Sequence, residues 1–296
     1  MYSGMTNGGA LHPLPERPMA ILLDTTSIHN IPVLTLTPGE ADRCPVIFFV
    51  HGFGGNKEAG LSLGYQLAQR GFCFISFDAW LHGERHDTLL EQAALPERGA
   101  LYPPDSGLDT FVLFYHVIEQ CRTDVRMLIE HFADDPRMEV TRCGVTGFSL
   151  GGYASYSIFA NLPQKQAAVP MIGVPSFTRR WLDLLDECAF SNPAWAAALE
   201  RVDDQTQQNT AFVAAIDPIE KLKIAAPRAL LIMNNDFDSD QPKHYAIDCC
   251  RELRSSYAAQ PDRLRLNIYP AGHTVTPQME RDAAEWFVTH LLDQSR

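Results

Sequence analysis

The chain has 296 residues, 46% hydrophobic and 20% charged, with a formal net charge of −12 and a sequence pI near 5.2. That acidity argues against nucleic-acid and anionic-membrane partners, both of which demand a basic face, and no apolar run approaches the roughly 20 residues of a membrane-spanning helix. A chain this long can bury about three-quarters of its unfolded surface, so the expectation is a single domain over residues 1–296 with a modest insertion.

A Gly/Pro-rich lead runs through Pro18. Residues 20–23 and 31–36, separated by the mostly polar stretch 24–30, predict an antiparallel pair. Pro38-Gly39 breaks the chain, and 44–50 is a continuous apolar run of buried-strand type ending in His51-Gly52-Phe53-Gly54-Gly55. Helical spacing of Leu61, Leu63, Tyr65, Leu67 and Ala68 predicts a helix over 59–69, with Gly71 as its stop. A second buried strand, 72–77, ends in Asp78-Ala79-Trp80-Leu81-His82-Gly83-Glu84-Arg85. A charged loop holding Pro103-Pro104 follows, and then a long amphipathic pattern over 109–133, closed by Asp134-Asp135-Pro136.

The run 140–146 predicts a strand, Gly147-Phe148-Ser149-Leu150-Gly151-Gly152 a sharp turn, 153–160 a helix and 168–173 a short strand. Residues 175–216 change to helical segments containing Trp and Ala, which reads as a cap-like insertion between two core strands. The sheet resumes at 228–233, followed by a helix at 245–254, a last strand at 264–269 and a closing helix at 277–292. Strands alternating with helices predict an α/β fold with a mostly parallel central sheet and helices on both faces.

Three stretches carry chemistry. Gly147-Phe148-Ser149-Leu150-Gly151 is a G-x-S-x-G elbow: a serine forced into a strained strand-to-helix turn needs neighbours without Cβ atoms, and its hydroxyl then stands clear of the sheet. His51-Gly52-Phe53-Gly54-Gly55 can aim backbone N–H groups at a developing oxyanion, the two expected donors being the N–H of Phe53 and of Leu150. It completes neither a Walker loop nor a G-x-G-x-x-G fingerprint. A base belongs near the carboxyl terminus, where Ala271-Gly272-His273-Thr274 places His273 between the last strand and the last helix. The acid belongs after strand 228–233, where the chain offers Asp236, Asp238 and Asp240.

Seven cysteines form an odd set without C-x-x-C, several in apolar runs, which predicts reduced thiols and a cytoplasmic protein. Residues 1–17 show no basic segment followed by an apolar stretch, so no signal peptide is expected. No Cys/His cluster has ligand spacing, so neither a metal nor an organic cofactor is expected. A homo-oligomer is compatible with the sequence and not specified by it.

Four motifs in order resemble the α/β-hydrolase superfamily over nearly the whole chain: His51-Gly52-Phe53-Gly54-Gly55-Asn56-Lys57, Asp78 with His82-Gly83-Glu84-Arg85, the elbow, and Gly272-His273-Thr274-Val275-Thr276-Pro277. Within it the chain is similar to compact bacterial esterases related to dienelactone hydrolases and to the prolyl oligopeptidase catalytic domain. The resemblance implies an α/β-hydrolase fold and a catalytic order Ser149, acid, His273. In such relatives the acid loop reads H-G-x-x-D-x-x-x-P or close to it, which puts the acid on Asp238 with Pro242 behind it. Asp236 is the runner-up, and Asn234-Asn235 stand where many relatives have His-Gly. It implies a serine hydrolase acting on small or medium uncharged esters, with Trp80, Phe148, Trp181 and Trp195 as candidate pocket walls and with Asp78 and His82 holding loops. A peptidase or amidase on the same scaffold, and a non-catalytic binding protein of that fold, are the alternatives.

Overall fold

In the computed structural model, which describes residues 20–40, 42–86, 108–191 and 204–292, eight strands form one sheet. They are β1 (Ile21–Ile28), β2 (Ile31–Pro38), β3 (Cys44–Val50), β4 (Cys73–Phe77), β5 (Met138–Phe148), β6 (Lys165–Met171), β7 (Ala229–Asn235) and β8 (Leu264–Tyr269). Their order is β1-β2-β4-β3-β5-β6-β7-β8. The hairpin partners β1 and β2 are antiparallel, β2 is antiparallel to β4, and β4-β3-β5-β6-β7-β8 run parallel. The chain steps from β3 outward to β4, crosses back to β5, and then moves the opposite way through β6, β7 and β8. The carboxyl ends of β3 and β5 therefore flank the switch point where an open parallel sheet leaves a crevice.

The alternation of β3 explains why helices cover both faces. Val46, Phe48 and Val50 face one core cluster with residues of α2 (Leu108–Phe132), α3 (Leu150–Asn161) and α7 (His244–Leu253). Ile47 and Phe49 face the other, against α1 (Leu61–Ala68) and α8 (Pro277–Phe287). In α2 the fully buried Val117, Cys121, Val125 and Leu128 recur every three or four residues, one stripe of a 3.6-residue helix. Thr276 caps α8 by accepting a hydrogen bond from the Met279 N–H at 3.2 Å, with Pro277 at the first helical position.

Between β6 and β7 lie α4 (Phe177–Ser191), α5 (Asp204–Ile216) and α6 (Ile219–Ala225). The inward stripe Phe177, Trp181, Leu184, Leu185 of α4, with Val213 of α5, joins the larger core cluster.

The first hairpin departs from expectation. Stretch 24–30 is not a connection: β1 continues to Ile28, and only His29 and Asn30, with φ of 52° and 63°, make the turn. Positive φ at both central residues is the hairpin-turn geometry whose twist matches its strands. β1 is a sheet edge exposed along most of its length, so its polar residues cost nothing there and look like a loop in sequence.

Candidate active site

Ser149 leaves β5 and opens α3 with φ 54° and ψ −117°, a conformation that an L-residue holds only where its surroundings impose it. The surroundings are the end of β3. A Cβ on Gly147 would lie 2.3 Å from the Val50 carbonyl oxygen, and one on Gly151 would lie 1.9 Å from the same atom. Glycine on both sides of the serine thus lets the elbow press directly onto β3. The Ser149 N–H donates to the Met171 carbonyl at 3.1 Å, anchoring the other side of the turn to β6.

His273, from the loop after β8, brings Nε2 to 3.0 Å from Ser149 Oγ. Its Nδ1 lies 2.9 Å from Asp238 Oδ2. Since a carboxylate only accepts, Nδ1 carries the proton there, and Nε2 is the acceptor facing the hydroxyl. Asp238 is itself fixed: Oδ1 accepts from the N–H groups of Asp240 and Gln241 at 3.0 and 2.9 Å, and Tyr153 OH donates to Gln241 Oε1 at 2.7 Å. Asp236 is turned away to pair with Lys243 at the surface. The geometry joins Ser149, His273 and Asp238 and leaves Asp236 out.

Leu150 is the first residue of α3, so its N–H has no intrahelical acceptor and points out of the helix start beside Ser149. Phe53 sits in the turn after β3, braced by the Gly55 N–H donating to the Gly52 carbonyl at 2.9 Å. A Cβ on Gly52 would stand 2.6 Å from the Phe148 ring, so that turn can close onto the residue preceding the serine only with glycine.

Behind this turn lies a buried polar assembly. His51 Nε2 accepts from the Ala79 N–H at 3.0 Å, which leaves Nδ1 to donate to the Gly52 carbonyl at 2.7 Å. Burial lowers its pKa to about 4, so the ring is neutral. Asp78, fully buried, accepts from the Lys57 N–H at 2.7 Å, Lys57 Nζ at 3.3 Å and the Glu84 N–H at 2.9 Å. Burial alone would depress the ammonium of Lys57, but its hydrogen bond to Glu84 and the charge of Asp78 raise its pKa instead. Arg85 links the β4 loop to α2 through Asp124 at 2.5 Å. Asp78 thus holds loops together, as the sequence suggested. His82 lies beside Phe53, ring centroids 5.0 Å apart, with Nδ1 donating to the Trp80 carbonyl at 2.8 Å.

A recess of about 240 Å³ opens beside Phe53, its apolar walls formed by Leu81, Leu113 and Val117 and its polar ones by His82 and His86. A larger one, about 990 Å³, lies between α7 and the edge strand β8 and includes none of Ser149, Asp238 and His273. Trp181 is not a pocket wall. It is fully buried, its Nε1 donating to Thr210 Oγ1 at 2.9 Å, because it sits on the core-facing stripe of α4. Phe148 packs against the smaller core cluster beneath Gly52, and Trp80 is half-buried against the larger one. Trp195 lies outside the described residues. Asp238, Asp240 and His273 bring ligand atoms within 4.8 Å of one another. Both carboxylate oxygens of Asp238 accept hydrogen bonds, Oδ1 from the loop and Oδ2 from the imidazole. All seven cysteines are free thiols.

The sequence model described as the Dienelactone hydrolase family matches residues 31–201, which include Phe53, Ser149 and Leu150 and end before Asp238 and His273. "Putative esterase YitV" of Bacillus subtilis (strain 168) is 24% identical over 274 residues, 92% of this chain and 100% of that protein. Among solved structures, TT1662 from Thermus thermophilus aligns with a TM-score of 0.66 at 21% identity, over 92% of this chain and 99% of its own. Acetyl xylan esterase from Paenibacillus sp. R4 aligns with a TM-score of 0.61 at 16% identity, over 93% of this chain and 90% of its own. Likeness at such identities establishes a shared fold.

Proposed function

Because the chain belongs to the dienelactone hydrolase family, we propose that it is a serine carboxylesterase cleaving small or medium uncharged esters through an acyl-enzyme. One observation carries this reading: a hydroxyl on a strained turn, 3.0 Å from an imidazole that is 2.9 Å from a buried carboxylate. His273 Nε2 takes the Ser149 proton as Oγ adds to the ester carbonyl. The N–H groups of Phe53 and Leu150 hold the oxyanion, and Asp238 stabilises the imidazolium in its working tautomer. The imidazolium then protonates the departing alcohol, and water, deprotonated by the same nitrogen, releases the acid. Each oxyanion donor in such a site is worth about a hundredfold to a thousandfold in rate.

The name of the Bacillus subtilis relative, an esterase matched over its whole length, favours esters over amides. The seven free thiols support a reducing compartment, consistent with a cytoplasmic protein.

The test is a panel of p-nitrophenyl esters of rising acyl length beside aminoacyl p-nitroanilides. Turnover of the short esters, slow or absent cleavage of the anilides, and loss of on the order of 10⁴-fold or more in Ser149→Ala are expected. Ester rates equal in wild type and Ser149→Ala would overturn the reading.

A further inference from the structure

We propose that Asn235 is the positioning residue for His273, its side-chain amide gripping the turn that carries the imidazole. The inference rests on the serine-esterase reading of the site and concerns a residue outside the hydroxyl, imidazole and carboxylate themselves.

Asn235 is the last residue of β7, in register with Tyr269 at the end of β8, and is fully buried. Its Nδ2 donates to the Gly272 carbonyl at 2.5 Å and to the Thr274 carbonyl at 2.8 Å, the two carbonyls on either side of His273. An amide nitrogen has two hydrogens, and both are used. The orientation is fixed by chemistry, because turning the amide over would set Oδ1 against two carbonyl oxygens. The Asn235 N–H in turn donates to Asn234 Oδ1 at 2.7 Å.

The turn needs such a grip. The Thr274 N–H donates to the Gly272 carbonyl at 2.8 Å, closing a three-residue turn with His273 at its centre. His273 and Thr274 are exposed, and a Cβ built on Gly272 would find only the Phe237 carbonyl oxygen, 3.9 Å away. Packing therefore does little to hold the turn. Backbone hydrogen bonds fasten the acid loop to the stretch before it, Asp236 N–H to Tyr269 O at 2.8 Å and Phe237 N–H to Ala271 O at 3.0 Å. Beyond Ala271, the Asn235 amide continues the fastening across His273. The Oδ1 of Asn235 has no hydrogen-bond partner among the described residues, so the side chain's bonding is concentrated in the two contacts that Nδ2 makes with the turn. One side chain thus ties β7, which also leads into Asp238, to the turn that aims Nε2 at Ser149.

The experiment uses Asn235→Asp, isosteric but without donors, and Asn235→Ala, with kcat and KM for p-nitrophenyl acetate referred to active sites titrated by a fluorophosphonate. The downfield proton resonance of His273 Nδ1–H, bonded to Asp238, is recorded without substrate. Expected are a fall in kcat per titrated site of about 10- to 100-fold, the cost of an ångström-scale misplacement, KM within about twofold, and broadening or loss of the resonance. A merely structural role would lower the number of titrated sites and leave kcat per site and the resonance alone, which would overturn the proposal. The resonance also separates this inference from its premise. Its loss in variants whose urea midpoint and circular dichroism match the wild type upholds positioning by Asn235 even if the wild type cleaves no ester, whereas its persistence refutes positioning whatever the activity.

Discussion

Three aspartates stand within five residues after β7, and only one turns inward. Asp238 reaches His273 because two backbone N–H groups hold its other oxygen, while Asp236 is claimed by Lys243 at the surface. Nothing in the order of residues decides that rotation, which is why the residues alone left the acid open and only the spacing of a known pattern favoured Asp238. Ser149 and His273 were legible, one from its flanking glycines and the other from its place after the last strand. Asn235 was not, because an amide at a strand end carries no local signature until the facing loop is in place. Asp238→Asn is expected to lower kcat on a p-nitrophenyl ester by about 10⁴-fold. Asp236→Asn, which breaks only a surface ion pair, leaves it within about twofold. Equal losses in the two variants would show that the acid is shared or misassigned.

At the level of elements, the elbow works because β5 and α3 meet over the end of β3 with no side chain between them. Gly151→Ala places a Cβ against the Val50 carbonyl and carbon at 1.9 and 2.6 Å, backbone atoms that cannot swing aside. Loss of soluble folded protein, or a urea midpoint far below wild type, is expected. The loop carrying Phe53 depends on a charge pair: in Lys57→Met the fully buried Asp78 keeps two backbone donors but loses its cation. Removing one partner of a buried pair costs about 3–5 kcal/mol, to be read from urea unfolding. An unchanged unfolding free energy would mean that Asp78 is satisfied by the backbone alone. Buried elements such as β3 and α2 were legible because burial dictates their apolar periodicity. The far half of β1 was not, since an exposed edge strand imposes no such pattern.

At the scale of the molecule, the switch in strand order between β3 and β5 brings the Phe53 loop and Ser149 together from segments about a hundred residues apart in sequence, and His273 and Asp238 arrive from two later strands. The alternation of strands and helices made that architecture readable. Which tryptophans face the core was not, because Trp181 is decided by how α4 packs back onto the sheet. The fold also carries a pH signature. His51 and His290 are both lowered to about 4, chiefly by burial, with the cations Arg263 and Arg265 adding to the effect for His290. Both are depressed from an unfolded value near 6.5, so the native state prefers the neutral rings, and their stabilising contribution is complete above pH 6.5. It is lost as pH falls from 6.5 towards 4. For His51 that amounts to at most about 3 kcal/mol. Urea midpoints should fall between pH 7 and pH 4.5, and less steeply in His51→Gln; an identical slope in that variant would remove His51 from the account.

The meeting of Ser149, His273 and Asp238 as a working relay is tested most directly by rapid quenching of the enzyme with p-nitrophenyl acetate in acid, followed by peptide mass spectrometry. An acetyl group on the peptide containing Ser149, formed in a burst and absent from Ser149→Ala, is the predicted result. Ester turnover with that peptide unmodified throughout, or with the acetyl group equally present in Ser149→Ala, would contradict it.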